Sequence, residues 1–225
     1  MSKILYHGSK NIIEQPIYGL GKRYNDYGMG FYCTEDLLLA KEWAVDFQRD
    51  GYANSYELKE DGLRILHLNK EPYGILHWLA ILLDNRRFDV SVGLPKAAKR
   101  YILDNFLIDI SGFDVIIGYR ADDSYFSFAQ DFISGVISYR QLKNAMYLGN
   151  LGEQVVLKSK KAFAQLTFLK AEYVSADEWY VKKAARDADA RNAYFMTERS
   201  NYQRGDLYMP QILDEEMKAD DTRLQ

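Results

Sequence analysis

The chain has 225 residues, 48% of them hydrophobic and 27% charged, with a net charge of −3. Such a composition belongs to a folded globular protein and excludes a disordered or fibrous chain. The pI near 5.7 argues against a general binder of polyanions, because phosphate contacts need clustered Lys and Arg.

A single cysteine, Cys33, excludes an internal disulfide and fits a reducing compartment. With only three scattered histidines beside it, a metal site is not expected. The first ten residues, MSKILYHGSK, hold no apolar run with a cleavage site, and the most apolar window, 73–88, is too short to span a bilayer. A soluble, cytoplasmic protein without membrane contact is the expectation.

In chain order, KILYH (3–7) reads as a short strand ending at His7-Gly8-Ser9. Residues 10–30 are rich in Gly, Tyr and Asn without a period and read as loop. GFYCT (30–34) is a second short strand, after which Thr34 is placed to cap a helix with Glu35 and Asp36 in its first turn. Leu37, Ala40, Ala44 and Phe47 share one face of that helix, which predicts that it runs to about Phe47. NSYELK (54–59) and LRILHLN (63–69) suggest a hairpin around Asp61-Gly62.

Helices are predicted over 73–86 and 95–106, a buried β-branched strand over 113–119, and helices over 120–135 and 138–149. A strand at 153–159, a helical turn at 160–165 and a strand at 166–174 complete a main unit of residues 1–175. From 176 the chain turns charge-rich and helix-forming. Residues 176–225 are expected to be a helical extension packing back through Trp179, Tyr180, Tyr194 and Phe195. Short strands and helices without regular βαβ alternation indicate an α+β fold. Neither a Gly-rich phosphate loop nor a nucleophile elbow stands at a strand-to-helix junction.

Three segments stand out: LYHGS at the first strand, GMGFYCTEDLLLAKEWA (28–44), and LGEQVVLKS (151–159). Together they resemble the ADP-ribosyltransferase superfamily in its diphtheria-toxin and poly(ADP-ribose) polymerase branch. The resemblance is closer still to a bacterial family of unknown function within that superfamily. It covers residues 3–175 and adds DVIIGYRADDSYFSFA (114–129) as a fourth segment. Each segment is weak alone; their order and spacing carry the likeness. It implies a split β-sheet core with flanking helices and NAD as co-substrate, with no metal. The implied activity is mono-ADP-ribosyl transfer to a protein, nucleic acid or small-molecule acceptor. A toxin–antitoxin or defence setting, with an antitoxin as partner, is implied as well. NAD hydrolysis and non-catalytic binding of NAD or ADP-ribose are the alternatives.

The resemblance also assigns roles. His7 bonds the adenosine-side ribose, the Gly8 backbone takes the nicotinamide carboxamide, and Ser9 is a further hydroxyl in the same turn. Tyr32 stacks on the nicotinamide. Trp43, eleven residues on, stands where the polymerase branch carries a second stacking aromatic. Gly28 and Gly30, with Phe31 beside them, let the chain pass close to the ligand.

On GEQVVLKS, alternation puts Gln154 on one face and Glu153 on the other. The resemblance places Gln154 in the slot of the catalytic Glu; a register one residue different places Glu153 there. Arg120 and Arg23 are candidates for the pyrophosphate, and Asp122 or Asp123 for acceptor activation. Equally, the two acids cap a helix, Arg120 pairs with one of them, and Arg23 is a solvated surface residue.

The plainer alternatives are structural. Trp43 belongs to a helix that must bury one face. His67 and His77 sit in a strand and an apolar helix and read as structural. Trp78 and Phe126 read as core. Cys33 has no His base placed for it and reads as packing. The Lys and Arg residues of 182–191 alternate with acids as on a solvated face.

Overall fold

Alternation along the first strand decides how the molecule is assembled. In a computed structural model that describes residues 1–88, 90, 92–120, 123–150 and 152–224, β1 (Ser2–Ser9) runs antiparallel to β3 (Gly51–Lys59) along its whole length. β3 in turn pairs with β7 (Leu166–Val174), so one sheet has the order β1-β3-β7. A second sheet has the order β2-β6-β5-β4, built from β2 (Phe31–Cys33), β4 (Ile65–His67), β5 (Val115–Tyr119) and β6 (Glu153–Leu157). Its pairs are antiparallel except β4 with β5. Mixed sheets with helices around them make the fold α+β.

Two sheets meet at one reciprocal pair of hydrogen bonds, Tyr6 N to Thr34 O at 2.8 Å and Thr34 N to Tyr6 O at 2.9 Å. The expected hairpin around Asp61-Gly62 is therefore corrected. Gly62 does adopt a positive φ of 72°, but the turn passes the chain from β3 in one sheet to β4 in the other. A parallel partner for β4 needs a long crossover, and α2 (Ile75–Asn85) and α3 (Gly93–Phe106) supply it.

Nine consecutive residues of α2, Ile75 to Leu83, are buried. A helix apolar on all sides must lie inside, and this one forms the centre of the main core with Tyr27, Trp78, Phe128, Phe132 and Val156. Val155 and Leu157 point to the opposite face of β6, where they pack with Leu5, Cys33, Val115 and Ile117.

Helix α1 (Leu37–Ala44) is shorter than its apolar pattern suggests. Its cap is Asp36, whose carboxylate accepts from Leu38 N at 2.7 Å and Leu39 N at 3.3 Å. Thr34 is committed to the bridge between the sheets, and its hydroxyl instead accepts from Asp36 N at 3.1 Å. Phe47 lies beyond the helix and is 67% exposed.

α4 (Asp123–Ile133), α5 (Tyr139–Ala145) and α6 (Lys160–Ala164) follow their predicted positions with trimmed ends. α7 (Ala176–Ala193) leads into a π-helical turn, Tyr194–Glu198. Tyr194 is fully buried, stacks on Phe128 at 3.9 Å between centroids and donates to Asp131 at 2.6 Å. Trp179 and Tyr180 cover Ala40 and Ala44, whereas Phe195 stays half exposed. Past α8 (Met209–Asp214), Met217 and Leu224 join Met209 and Ile212 in the main core. Among the described residues no helix is long and apolar enough to cross a membrane.

Candidate functional site

The site begins where the two sheets part. Continued past Tyr6–Thr34, the register would set Gly8 opposite Tyr32, and hydrogen-bonded pairs recur every second residue in an antiparallel ladder. The ladder does not continue. The His7 imidazole reaches across, and its Nδ1 lies 2.7 Å from Tyr32 O, occupying the acceptor that a ladder bond from Gly8 would use. By the same alternation, the N–H and C=O of Gly8 and the N–H of Tyr32 are directed to this parting edge, away from β3 and β6.

Because a carbonyl only accepts, Nδ1 carries the proton in this contact. Burial pushes the His7 imidazole below its usual value, against a smaller upward pull from the Tyr32 carbonyl. The ring is therefore neutral near pH 7 and Nε2 is left as an acceptor. Phe31 supports the ring at 4.4 Å between centroids. Asn54, fully buried, holds the end of β1: its Nδ2 donates to His7 O at 3.1 Å and Ser9 Oγ at 3.0 Å, and its Oδ1 accepts from Ile13 N at 2.9 Å. Ser9 in turn donates to Asn11 O at 2.6 Å, so its hydroxyl is spent on the turn.

The glycines answer to protein packing. A Cβ on Gly8 would overlap Ala40 O and lie 2.6 Å from Ala44 N and 2.8 Å from Trp43 Cβ, so α1 is what excludes a side chain there. The packing of α1 is enough to account for its small size, while its main-chain edge stays directed into the parting. A Cβ on Gly30 would meet Val156 Cγ1 at 2.6 Å, and one on Gly28 would meet Asn85 Oδ1 at 2.5 Å. Gly28 also has φ 70°. On the side where a Cβ would project, both positions face protein, β6 for Gly30 and α2 for Gly28.

Tyr32 closes this loop from the other end. Its hydroxyl donates to Gly28 O at 2.6 Å and accepts from Tyr27 N at 3.0 Å, and burial pushes its pKa up. Tyr27, fully buried, donates to Tyr119 O at 2.5 Å, and Trp78 Nε1 donates to the same carbonyl at 3.1 Å. Lys158 bonds Tyr27 O.

On β6, Tyr32 faces Val156 and Gln154 follows two residues along the same face. Gln154 is 5% exposed, and its Nε2 donates to Asp26 Oδ2 at 2.9 Å. Asp26, equally buried, forms an ion pair with Arg86, Oδ1 to Nε 2.8 Å. Glu153 leaves the opposite face and accepts from Asn69 Nδ2 at 2.8 Å, so Gln154 rather than Glu153 shares a face with Tyr32.

Trp43 rises from α1 beside Gly8, with the Arg120 guanidinium 4.3 Å from its ring centroid. One ring face thus carries a cation, and among the described residues the buried indole N–H has no acceptor. Beneath Trp43, Glu42 pairs with Arg186 of α7 at 2.7 Å. Asp122 and the side chain of Asp123 lie outside the described residues. Arg23 is elsewhere: with Tyr18, Gly28, Gly30, Asn85 and Lys158 it lines a cavity of about 740 Å³. His67 stands on β4 rather than in a hairpin. His77 accepts from Gly74 N at 3.0 Å at the start of α2, and Cys33 is fully buried.

His7, Gly8 and Tyr32 therefore meet at the parting of the sheets, Trp43 with Arg120 over its ring stands beside Gly8, and Gln154 lies farther along β6 on the face that Tyr32 shares. Glu153 and Ser9 are held in other contacts, Gly30 packs against Val156, and Arg23 lines the cavity described above. Asn54, Asp26 and Arg86 were not singled out in the sequence. Asp26 sits in Asn25-Asp26-Tyr27-Gly28, whose composition signals only a turn, and Arg86 ends an apolar helix 60 residues away. Asn54, a polar residue inside an otherwise strand-forming run, was the one legible hint.

Residues 3–168 match the model of a family described as protein of unknown function (DUF3990). No curated protein and no solved structure matches the chain.

Proposed function

The chain belongs to the DUF3990 family, and from that premise we propose that it is an NAD-dependent mono-ADP-ribosyltransferase whose site lies at the parting of its two sheets, on a split-sheet core of the kind its sequence resembles. The observation that carries this reading is the interrupted ladder. His7 Nδ1 takes Tyr32 O, and Gly8 keeps an edge N–H and C=O. A primary carboxamide offers one donor and one acceptor at the matching spacing, so nicotinamide is a fitting occupant. Tyr32 and Trp43 flank that edge. An aromatic face against the cationic ring is worth about 0.5–2 kcal/mol. Neutral His7, through Nε2, accepts a ribose hydroxyl.

In the reaction the C–N bond between nicotinamide and ribose breaks, with its electron pair leaving on neutral nicotinamide. The acceptor nucleophile then bonds the ribose carbon and gives up its proton. A site that fixes both riboses and the carboxamide places the atoms for this displacement. Water in place of the acceptor gives NAD hydrolysis. The resemblance alone supports an antitoxin partner and a bacterial defence setting.

A second reading, a non-catalytic NAD or ADP-ribose binding module, is favoured by one observation: Gln154 brings no charge, and its amide is engaged by Asp26. Purified protein with labelled NAD and a cell extract separates these. Nicotinamide release with label on a macromolecule supports transfer, and release without it supports hydrolysis. A raised melting temperature with intact NAD supports binding alone. Neither release nor a melting shift rejects every NAD-based reading.

A further inference from the structure

A glutamine is an ambiguous ligand, because its amide offers an acceptor on one side and a donor on the other, and rotation exchanges them. Here the ambiguity is resolved from beneath. A carboxylate only accepts, so the Gln154 group facing Asp26 Oδ2 at 2.9 Å is the NH2, and Oε1 is left on the other side. Asp26 is itself held by Arg86 at 2.8 Å. Arg86 is fixed at the end of α2, where its N–H donates to Leu82 O and its guanidinium lies 5.2 Å from the Phe126 ring centroid.

The geometry points to Asp26 as the positioning residue of the site: through Gln154 it dictates that an acceptor, not a donor, is shown to the ligand, and so selects a hydroxyl-bearing group such as the nicotinamide-side ribose. This inference rests on the reading of the site as an NAD site. Arg86 makes the arrangement directional, since it requires an acceptor on its own side of residue 26.

Asp26→Asn tests this because it keeps size and an acceptor toward Arg86 while reversing the sense of the hydrogen bond to Gln154. The introduced asparagine must turn its Oδ1 to Arg86 and its NH2 to Gln154. The glutamine then flips to accept, and shows its NH2 to the ligand. The expected result is a melting temperature close to wild type, with kcat for nicotinamide release down about 10²-fold, the scale of a misplaced reacting group, and a smaller change in KM. D26N/Q154E restores an acceptor at position 154, with the asparagine donating to the new carboxylate and accepting from Arg86, and recovers turnover.

Gln154→Glu alone sets two carboxylates 2.9 Å apart, the distance that now separates Gln154 from Asp26, where they share one proton. At saturating NAD its turnover acquires a pH step that wild type lacks, separate from the His7-linked fall in affinity, and one higher in pH than that of the double variant, whose single carboxylate has no second acid beside it. The charged and titratable groups around the pair are Arg86 from α2, Tyr32 from β2 and Tyr27 from the loop. If Asp26→Asn misfolds, this comparison carries the test by itself. Wild-type turnover in a folded Asp26→Asn, a double variant no better than Asp26→Asn, or no pH step in Gln154→Glu overturns the role of Asp26 alone. A wild-type protein that neither releases nicotinamide nor is stabilised by NAD overturns the NAD reading, and this inference with it.

Discussion

At the residue scale the decisive group is one imidazole. His7 replaces a backbone ladder bond with a side-chain bond to Tyr32 O, and burial holds its pKa below the ordinary value near 6.5. The unfolded chain therefore takes up the proton first as pH falls. Stability from this group is fully present above about pH 6.5 and is lost as pH drops toward the folded value. His77 and His67 are shifted the same way, chiefly by burial, and add to the slope. Melting temperature is expected to fall between about pH 7.5 and 5.5, less steeply in His7→Gln. NAD affinity follows the same direction, because protonated Nε2 donates rather than accepts. Titration of NAD binding over that range checks it; affinity that rises on acidification contradicts the assignment of His7 as acceptor.

Among elements, the tightest constraint is α1 lying on β1. Gly8 and Gly51 each leave no room for a methyl group: the first meets Ala40 O and Ala44 N, the second Ala44 and Ser9 O. Both Gly8→Ala and Gly51→Ala are expected to destabilise by about 1–3 kcal/mol, the ordinary cost of overpacking, read as a lower denaturation midpoint. They part in function. Gly8→Ala moves the edge that takes the carboxamide and abolishes the NAD-dependent melting shift, whereas Gly51→Ala keeps it. Equal loss in both would mean that α1 packing, rather than the Gly8 edge, sets binding.

Across the whole molecule, the charged C-terminal stretch is part of the core. Its helix α7 is polar, with only Ala176 and Ala190 buried, yet Tyr194, Met209, Ile212, Met217 and Leu224 all pack into the interior around α2. Removing everything after Val174 would uncover Phe128, which Tyr194 stacks on, and strip Tyr101 and Tyr139 of the carbonyls of Met217 and Leu224 that they bond. The truncated chain is expected to lose its cooperative melting transition and to bind hydrophobic dyes. A truncation that melts as sharply as the full chain would show the tail to be dispensable. α7 also passes close to the site, where Arg186 pairs with Glu42 at 2.7 Å, next in sequence to Trp43.

Much of this was legible from local pattern. The β-branched run of β5, the apolar helix α2, the glycine turn at Gly62 and the final strand β7 each follow from composition within a few residues. The α+β class follows from their order. His7, Gly8, Tyr32, Trp43 and Gln154 were singled out by the resemblance of their segments to a known superfamily rather than by local pattern.

What local pattern does not carry is partnership. A turn at Asp61-Gly62 is the same turn whether the next strand returns to β3 or crosses to β5. Asp26 reads as a turn residue until Gln154 and Arg86, 128 and 60 positions away, close around it. The glycines read as room for a ligand until α1, α2 and β6 occupy that room. Hydrophobic periodicity is a property of neighbours in sequence, and the chain by itself determined the elements and their buried faces. Which strands pair, where the ladder breaks at His7, and which way the amide of Gln154 points depend on groups brought together only by packing, and those the tertiary structure decided.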